Sequence, residues 1–366
     1  MRVEKIALNG WRNYEWESVG LGEGTNVITG SNAQGKTNLL EAVYMLSCGR
    51  SFRTRFDREL VGFDFSSAEI LADVFSHERE QTIDIVMKPG QAKKISVNGV
   101  KKTAAELAQT LNVVLFCPDD LNLINEGAAV RRRLLDNAIS QIRPKYAEIL
   151  SEFNRLYEHK TRILKDWHEK PSLLDTLDEF SDGMCRASAQ LIRYRAAFTA
   201  RLEEAAAPIH GEFSGDGEKL SISYRTVSTV ADPLAPVKEI YYALCEHQEK
   251  HRRAELESES CLSGAHKDDL EIFINGRSAR SFASQGQTRT AALSLKLAER
   301  EIFLDETGEY PVLLLDDVLS ELDDRRQSFV LNRIGGGQTL ITCCEDEGIS
   351  SRTGGRVLFV EKGRIR

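Results

Sequence analysis

The sequence predicts an α/β fold: a phosphate-loop head split in two by a mainly helical insertion. Three observations predict it. A glycine-bounded pattern, GSNAQGKT, stands at residues 30–37. An apolar run ending in two carboxylates, VLLLDD, stands at residues 312–317. Between them, from about residue 129 to 207, apolar residues recur at helical spacing.

The first pattern satisfies G-x-x-x-x-G-K-[ST] through Gly30, Gly35, Lys36 and Thr37. Residues 26–29 read as a short buried strand entering the loop. Residues 37–46 read as a helix leaving it, with Leu39, Leu40, Val43 and Leu46 on one face. Strand–loop–helix is the context such a loop requires. Glycine lets successive backbone N–H groups turn inward around a phosphate, and the helix N-terminus adds the positive end of its dipole. Ser31, Asn32, Ala33 and Gln34 fill the loop, and Asn38 follows it. Lys36 offers a full positive charge to the β- and γ-phosphates, and the Thr37 hydroxyl suits Mg²⁺. ATP and Mg²⁺ are therefore the expected cofactors.

Residues 68–75 and 82–87 have strand patterning. Residues 94–97 followed by Asn98-Gly99 read as a hairpin, and residues 111–116 as a core strand stopped by Cys117-Pro118. Helical texture then runs from 129 to 167, is interrupted at 170–172, and resumes from 173 until Pro208 and Gly211 stop it. Two such helices joined by a short break predict an antiparallel helical arm, and no heptad repeat persists long enough for an extended coiled coil. Strands return at 220–224 and 270–274. The expected division is 1–116 and 211–366 for the head, with 117–210 as the helical lid or arm.

At 366 residues the chain can bury a large core. No apolar run is long enough to span a bilayer, so no membrane partner is expected. Seven cysteines without C-x-x-C spacing suit free thiols in a reducing cytoplasm. His247 and His251 lie one turn apart, but Gln248 stands where a zinc hydrolase needs glutamate, so this charged segment reads as a solvated helix face. The net charge of −8 means that any nucleic-acid contact needs a local basic patch. The candidates are Arg50, Arg53 and Arg55 after the loop helix, and Arg131, Arg132 and Arg133 where the arm begins.

The run at 312–317 has the shape of a Walker B strand, delivering Asp316 to Mg²⁺ and Asp317 toward an attacking water. Ser320 and Asp323 continue it in D-loop positions. Upstream, Ser284, Gln285, Gly286 and Gln287 precede a helix predicted from about 288 to 304, a second anion site by its N-terminus.

Taken together these motifs resemble ABC-type ATPases, and the whole chain resembles the RecF family of bacterial recombination mediators, relatives of the structural-maintenance-of-chromosomes (SMC) heads. The resemblance is carried by Trp11-Arg12-Asn13-Tyr14, the loop and its helix, GRSFRT at 49–54, PDDLNL at 118–123, RRRLLD at 131–136, GAHKDDL at 264–270, and the segments 282–299 and 313–323. It implies an ATP-dependent homodimer in which the signature residues 284–287, Ser284 foremost, face the γ-phosphate held by the other subunit. Lys36, Ser284 and Asp317 would carry catalysis, and Arg12 and Asn13 would touch adenine or ribose. It implies a weak DNA-stimulated ATPase of DNA repair that clamps DNA at gaps and junctions and loads RecA with RecO and RecR. Departures are Ala33 for a usual glycine, GAHK for GPHR, Thr288 for a glutamine, and Cys343-Cys344 where ABC enzymes place a switch histidine. Thr342 is the candidate γ-phosphate sensor in its stead. An ABC transporter ATPase would carry two consecutive signature glycines and the switch histidine. Another SMC-like DNA-clamping ATPase remains an alternative, although a chromosome-organising head would need a longer arm.

Overall fold

A computed structural model describes residues 1–215, 217–346 and 348–366. The chain divides into two compact units, Met1–Asn122 with Ala292–Arg366, and Leu123–Ala291.

The first unit is built on two six-stranded sheets. One is mostly parallel, in the order Arg364–Ile365, Arg356–Glu361, Thr25–Thr29, Thr339–Cys343, Val312–Asp316, Val113–Phe116. Both faces of its central strands are covered; Val312–Asp316 and Thr339–Cys343 are buried at every position. The other sheet is antiparallel, in the order Tyr14–Gly20, Arg2–Trp11, Ala68–Ser76, Arg79–Met87, Lys94–Val97, Val100–Lys101. Its alternating burial, clearest in Ala68–Ser76, marks one core face and one outer face. The hairpin at Asn98-Gly99 forms as expected, both residues taking positive φ (51° and 76°). One apolar cluster joins the two sheets to the helix Lys36–Cys48. That helix buries ten of its 13 residues, so it is wrapped rather than amphipathic.

The second unit contains the helices Ala128–Ile142, Pro144–Asp166, Leu177–Ser214 and Val237–Ser258, and a three-stranded antiparallel sheet ordered Arg277–Ser278, Asp269–Ile274, Leu220–Arg225. It corrects the sequence reading in three places. The unit extends to Ala291, not 210, because Leu220–Arg225 and Asp269–Ile274 pair with each other inside it. Pro208 does not end its helix, which continues to Ser214; buried Ile209, His210 and Phe213 hold the last turns against the core and offset the lost hydrogen bond. The segment around His247 is not a solvated face. His247 is 7% exposed and shares a 2.6 Å hydrogen bond with the Ser263 hydroxyl. Gln248 accepts from Lys160 and donates to Glu255, two fully buried partners that pair at 2.7 Å.

RRRLLD and GAHKDDL meet in this unit as an ion network. Arg131 grips Asp269 through two hydrogen bonds (2.8 and 3.0 Å). Arg132 donates to the Asp268 carbonyl at 2.6 Å. Arg195, 2% exposed, donates to Asp136, to Asp268 and to the Ala265 carbonyl. The Tyr146 and Tyr224 hydroxyls donate to Asp136 and Asp268. Burial outweighs the opposing pull of Arg195 and the hydroxyl donors and leaves the Asp268 carboxyl raised to about 6. Removing one partner would strand the others' charges in a dry site. Arg195→Met is expected to lower unfolding free energy by about 3–5 kcal/mol, measured by urea denaturation; a loss within 0.5 kcal/mol, the range of ordinary surface substitutions, would show that the network is solvated.

Candidate nucleotide-binding site

The strand Thr25–Thr29 delivers the chain to the loop, and the helix Lys36–Cys48 leaves it with Gly35 as N-cap. Gly30 has φ 145°, and a Cβ there would lie 2.3 Å from the Val360 carbonyl oxygen. Gly35 has φ 121°, and a Cβ would press on the Asn13 amide at 2.9 Å. Both glycines are therefore required by space as well as by torsion. Ala33 occupies the left-handed region too (φ 63°), with its methyl exposed.

The loop is held by its carbonyls. Lys36 Nζ donates to the Gly30 and Ser31 oxygens (2.6 and 3.1 Å). Asn13 Nδ2 and the Gly363 N–H both donate to the Gln34 oxygen (2.8 and 3.0 Å). The Tyr14 hydroxyl donates to the Gly35 oxygen and Trp11 Nε1 to the Asn38 oxygen. Asn38 Nδ2 in turn donates to Asn13 Oδ1, and the Cys344 thiol donates to Asn32 Oδ1 at 3.0 Å. Asn13 and Tyr14 thus brace the loop, and Trp11 the first turn of the helix after it. Asn13 lies at the loop as the sequence places it. The Arg12 guanidinium is committed elsewhere: it grips fully buried Glu41 through Nε and Nη2 (2.8 and 2.6 Å), which Ser51 also approaches at 2.5 Å.

Two acidic residues stand opposite the loop. In the sheet, Thr339–Cys343 lies between the loop strand and Val312–Asp316, with Thr342 in register with Asp316 and with Ile28. Asp316 Oδ1 accepts from Thr37 Oγ1 and from Thr342 Oγ1, each at 2.9 Å. Burial raises the Asp316 carboxyl above the usual carboxylate range, opposed by these two donors. Asp317 has φ 51°, a conformation aspartate tolerates better than most; its N–H donates to Thr342 Oγ1 at 2.8 Å, and its carbonyl accepts from Ser320 at 2.7 Å. Asp323 is the N-cap of the helix Asp324–Arg333. Thr342 is not placed as a phosphate sensor: it is 1% exposed and its hydroxyl is used both as donor and as acceptor. The exposed residue at the loop from this strand's end is Cys344.

In the second unit, the signature residues open the helix Gln285–Thr307. Ser284 and Gln287 cap each other: the Ser284 N–H donates to Gln287 Oε1 (2.8 Å) and the Gln287 N–H to Ser284 Oγ (3.3 Å), a capping box. Gln287 Nε2 also donates to Glu218, while Ser284 and Gln285 are exposed.

The arginine candidates separate. Arg131 is a correction: at 2% exposure and with its donors spent on Asp269 and three backbone carbonyls, it has no face for a DNA phosphate. Arg132 is half-buried, and Arg133 is exposed. Arg53 turns back onto Asn38 Oδ1 at 2.7 Å. Arg50 and Arg55 are exposed. The sequence reading missed another basic run. Residues 88–102 hold five lysines and no Asp or Glu; Lys88, Lys94 and Lys101 are exposed at the sheet's outer hairpin, while Lys93 pairs with Asp57 and Lys102 with Glu106. Its signal was the absence of acidic residues, which a search for consecutive arginines does not register.

A phosphate loop, a buried Walker B strand and a D-loop arranged on one mostly parallel sheet define an ABC/SMC-type ATPase head. The RecF/RecN/SMC N terminal domain family matches residues 2–360. The DNA replication and repair protein RecF of Bacillus subtilis is 40% identical over 356 residues, covering 96% of both chains. That of Acetivibrio thermocellus is 38% identical over 367 residues, covering 100% of this chain and 99% of its own. A solved structure of the recombination mediator protein RecF-ATPrS in the RecFOR pathway superposes with TM-score 0.92 at 35% identity, over 100% of this chain and 97% of that one. This chain belongs to the RecF family. An SMC head domain from Pyrococcus furiosus, 16% identical with TM-score 0.56 over 100% and 95% of the two chains, shares the fold.

The bracing of the loop by Asn13 can be tested directly. Asn13→Ala removes two hydrogen bonds and is expected to cost about 1–3 kcal/mol of stability, with faster hydrogen exchange at residues 34–38. Unchanged exchange there would show that the loop holds its shape without the turn.

Proposed function

We propose that this chain is an ATP-dependent DNA-binding protein of recombinational repair, a weak DNA-stimulated ATPase whose ATP-driven homodimer clamps DNA at gaps or junctions. In this reading it helps RecO and RecR to load RecA, and slow hydrolysis resets it. One observation carries the nucleotide part: Thr37 and Asp316, 279 residues apart in sequence, meet at 2.9 Å beside the phosphate loop. The kinship supports the rest, since the relatives are DNA replication and repair proteins and two solved ones are RecF-ATP and RecF-ATPrS.

The residues divide the work. The amides of 30–35 and the Lys36 ammonium bind the phosphates. Thr37 and Asp316 offer two converging oxygens, the small protein share that Mg²⁺ takes when phosphates and water supply the rest. Mg²⁺ when bound neutralises charge developing on the phosphates. Asp317 polarises the attacking water. Ser284, at the capped N-terminus of its helix, presents an exposed hydroxyl and helix dipole to the γ-phosphate of a second subunit.

Lys36→Met is expected to abolish ATP-dependent dimers, whereas Asp317→Asn should still bind ATP and stay closed. Light scattering with and without ATP separates them; normal dimers and turnover in Lys36→Met would end the phosphate-loop assignment.

DNA contact falls to exposed cations of the first unit: Arg50, Arg55 and the rim lysines Lys88, Lys94 and Lys101. Each duplex phosphate contact removed lowers the slope of log K against log salt by about 0.9. Lys88→Ala/Lys94→Ala/Lys101→Ala is therefore expected to flatten that slope by about 2–3 with ATP present. An unchanged slope and affinity would move the DNA surface away from this hairpin.

A further inference from the structure

Thr342 belongs to none of the motifs that bind or cleave nucleotide, yet its hydroxyl touches both acidic residues. As a hydroxyl it has one proton to give and lone pairs to receive with. It gives the proton to Asp316 Oδ1 at 2.9 Å and receives the Asp317 N–H at 2.8 Å. Register makes this possible. Thr342 lies beside Asp316 on the neighbouring parallel strand, and side chains in register on paired strands share a face. The strand also pairs with the loop strand on its other side, fixing it from both edges.

The two contacts act on different problems. Asp316 is also bonded by Thr37, but Thr37 is itself a proposed Mg²⁺ ligand. Thr342 is the donor whose hold on Asp316 does not compete with the cation. Asp317 sits at φ 51°, in the left-handed region, which L side chains adopt less readily than extended or helical backbone and which contacts on either side help to hold. Thr342 supplies one at the amide, and Ser320 another at the carbonyl.

We propose that Thr342 is the positioning residue of the ATPase site, orienting the Mg²⁺-holding carboxylate of Asp316 and the water-polarising Asp317 through one buried hydroxyl. This rests on the ATP–Mg²⁺ reading above. A phosphate sensor would have to reach the nucleotide; Thr342 acts instead through its two neighbours, and its effect is on the cation and on turnover.

The test uses the full chain with Thr342→Val, Thr342→Ala and Thr342→Ser. ATP affinity is measured in EDTA and across a Mg²⁺ titration, and turnover is followed over the same titration. Removing the hydroxyl is expected to raise the Mg²⁺ midpoint about 10–100-fold, to lower kcat, and to leave ATP affinity in EDTA unchanged. Serine keeps the hydroxyl and is expected to restore both the midpoint and kcat. The alanine variant carries the test if valine's extra methyl prevents folding. A wild-type Mg²⁺ midpoint in valine or alanine, or failure of serine to rescue, would overturn the assignment, even where melting temperature falls. If the wild-type protein itself binds ATP without any response to Mg²⁺, the underlying reading fails and takes this one with it.

Discussion

The site depends on one constraint: a loop that is to offer its N–H groups to an anion must have its carbonyls occupied elsewhere. A buried carbonyl without a donor costs free energy, and a free one can rotate its peptide toward the ligand. Here the oxygens of Gly30, Ser31, Gln34 and Gly35 are each met by a donor. Those donors come from Lys36, from the turn at residues 13–14 and from the last hairpin of the chain. The antiparallel sheet is thus part of the nucleotide site. Its first hairpin carries the bracing turn, with Trp11 opposite Tyr14.

The same economy appears at the acidic residues. Asp316 and Asp317 are neighbours in sequence, but one ends a strand and the other bends into the left-handed region. Adjacent side chains can then take different tasks. A single threonine from the intervening strand touches both, so the geometry of two groups follows from one register.

How much of this the sequence revealed depends on what kind of information each feature carries. The phosphate loop and Walker B strand were legible because their chemistry needs particular residues at fixed short spacing. The hairpin at Asn98-Gly99 was legible for the same reason. Pro208 was misread because a local rule met a tertiary override: buried Phe213 lies beyond it. The helix around His247 was read as solvated because its buried positions include His247 and Glu255, polar residues that blur an apolar stripe. Arg131 and Arg133 could not be told apart by composition. On a helix, two residues apart means nearly opposite directions, and only the partner at Asp269 decides which one turns inward. The place of the Arg12 guanidinium was hidden likewise, since nothing local announces that Glu41 is buried and is met by this cation.

The mostly parallel sheet also sets the order in which the chain can mature. The loop strand Thr25–Thr29 has as its neighbours Thr339–Cys343 and Arg356–Glu361, which leave the ribosome roughly 300 residues later. At about 5–20 residues per second that is a wait of about 15–60 s. Throughout it, a strand that the folded protein buries stands in the growing chain with two unpaired edges. The contiguous unit Leu123–Ala291 has all its own partners well before then. Synthesis therefore completes the inserted unit first and closes the nucleotide site last, so that a chain cut after residue 336 carries the whole phosphate-loop motif but neither of the strands that pair with the one entering it.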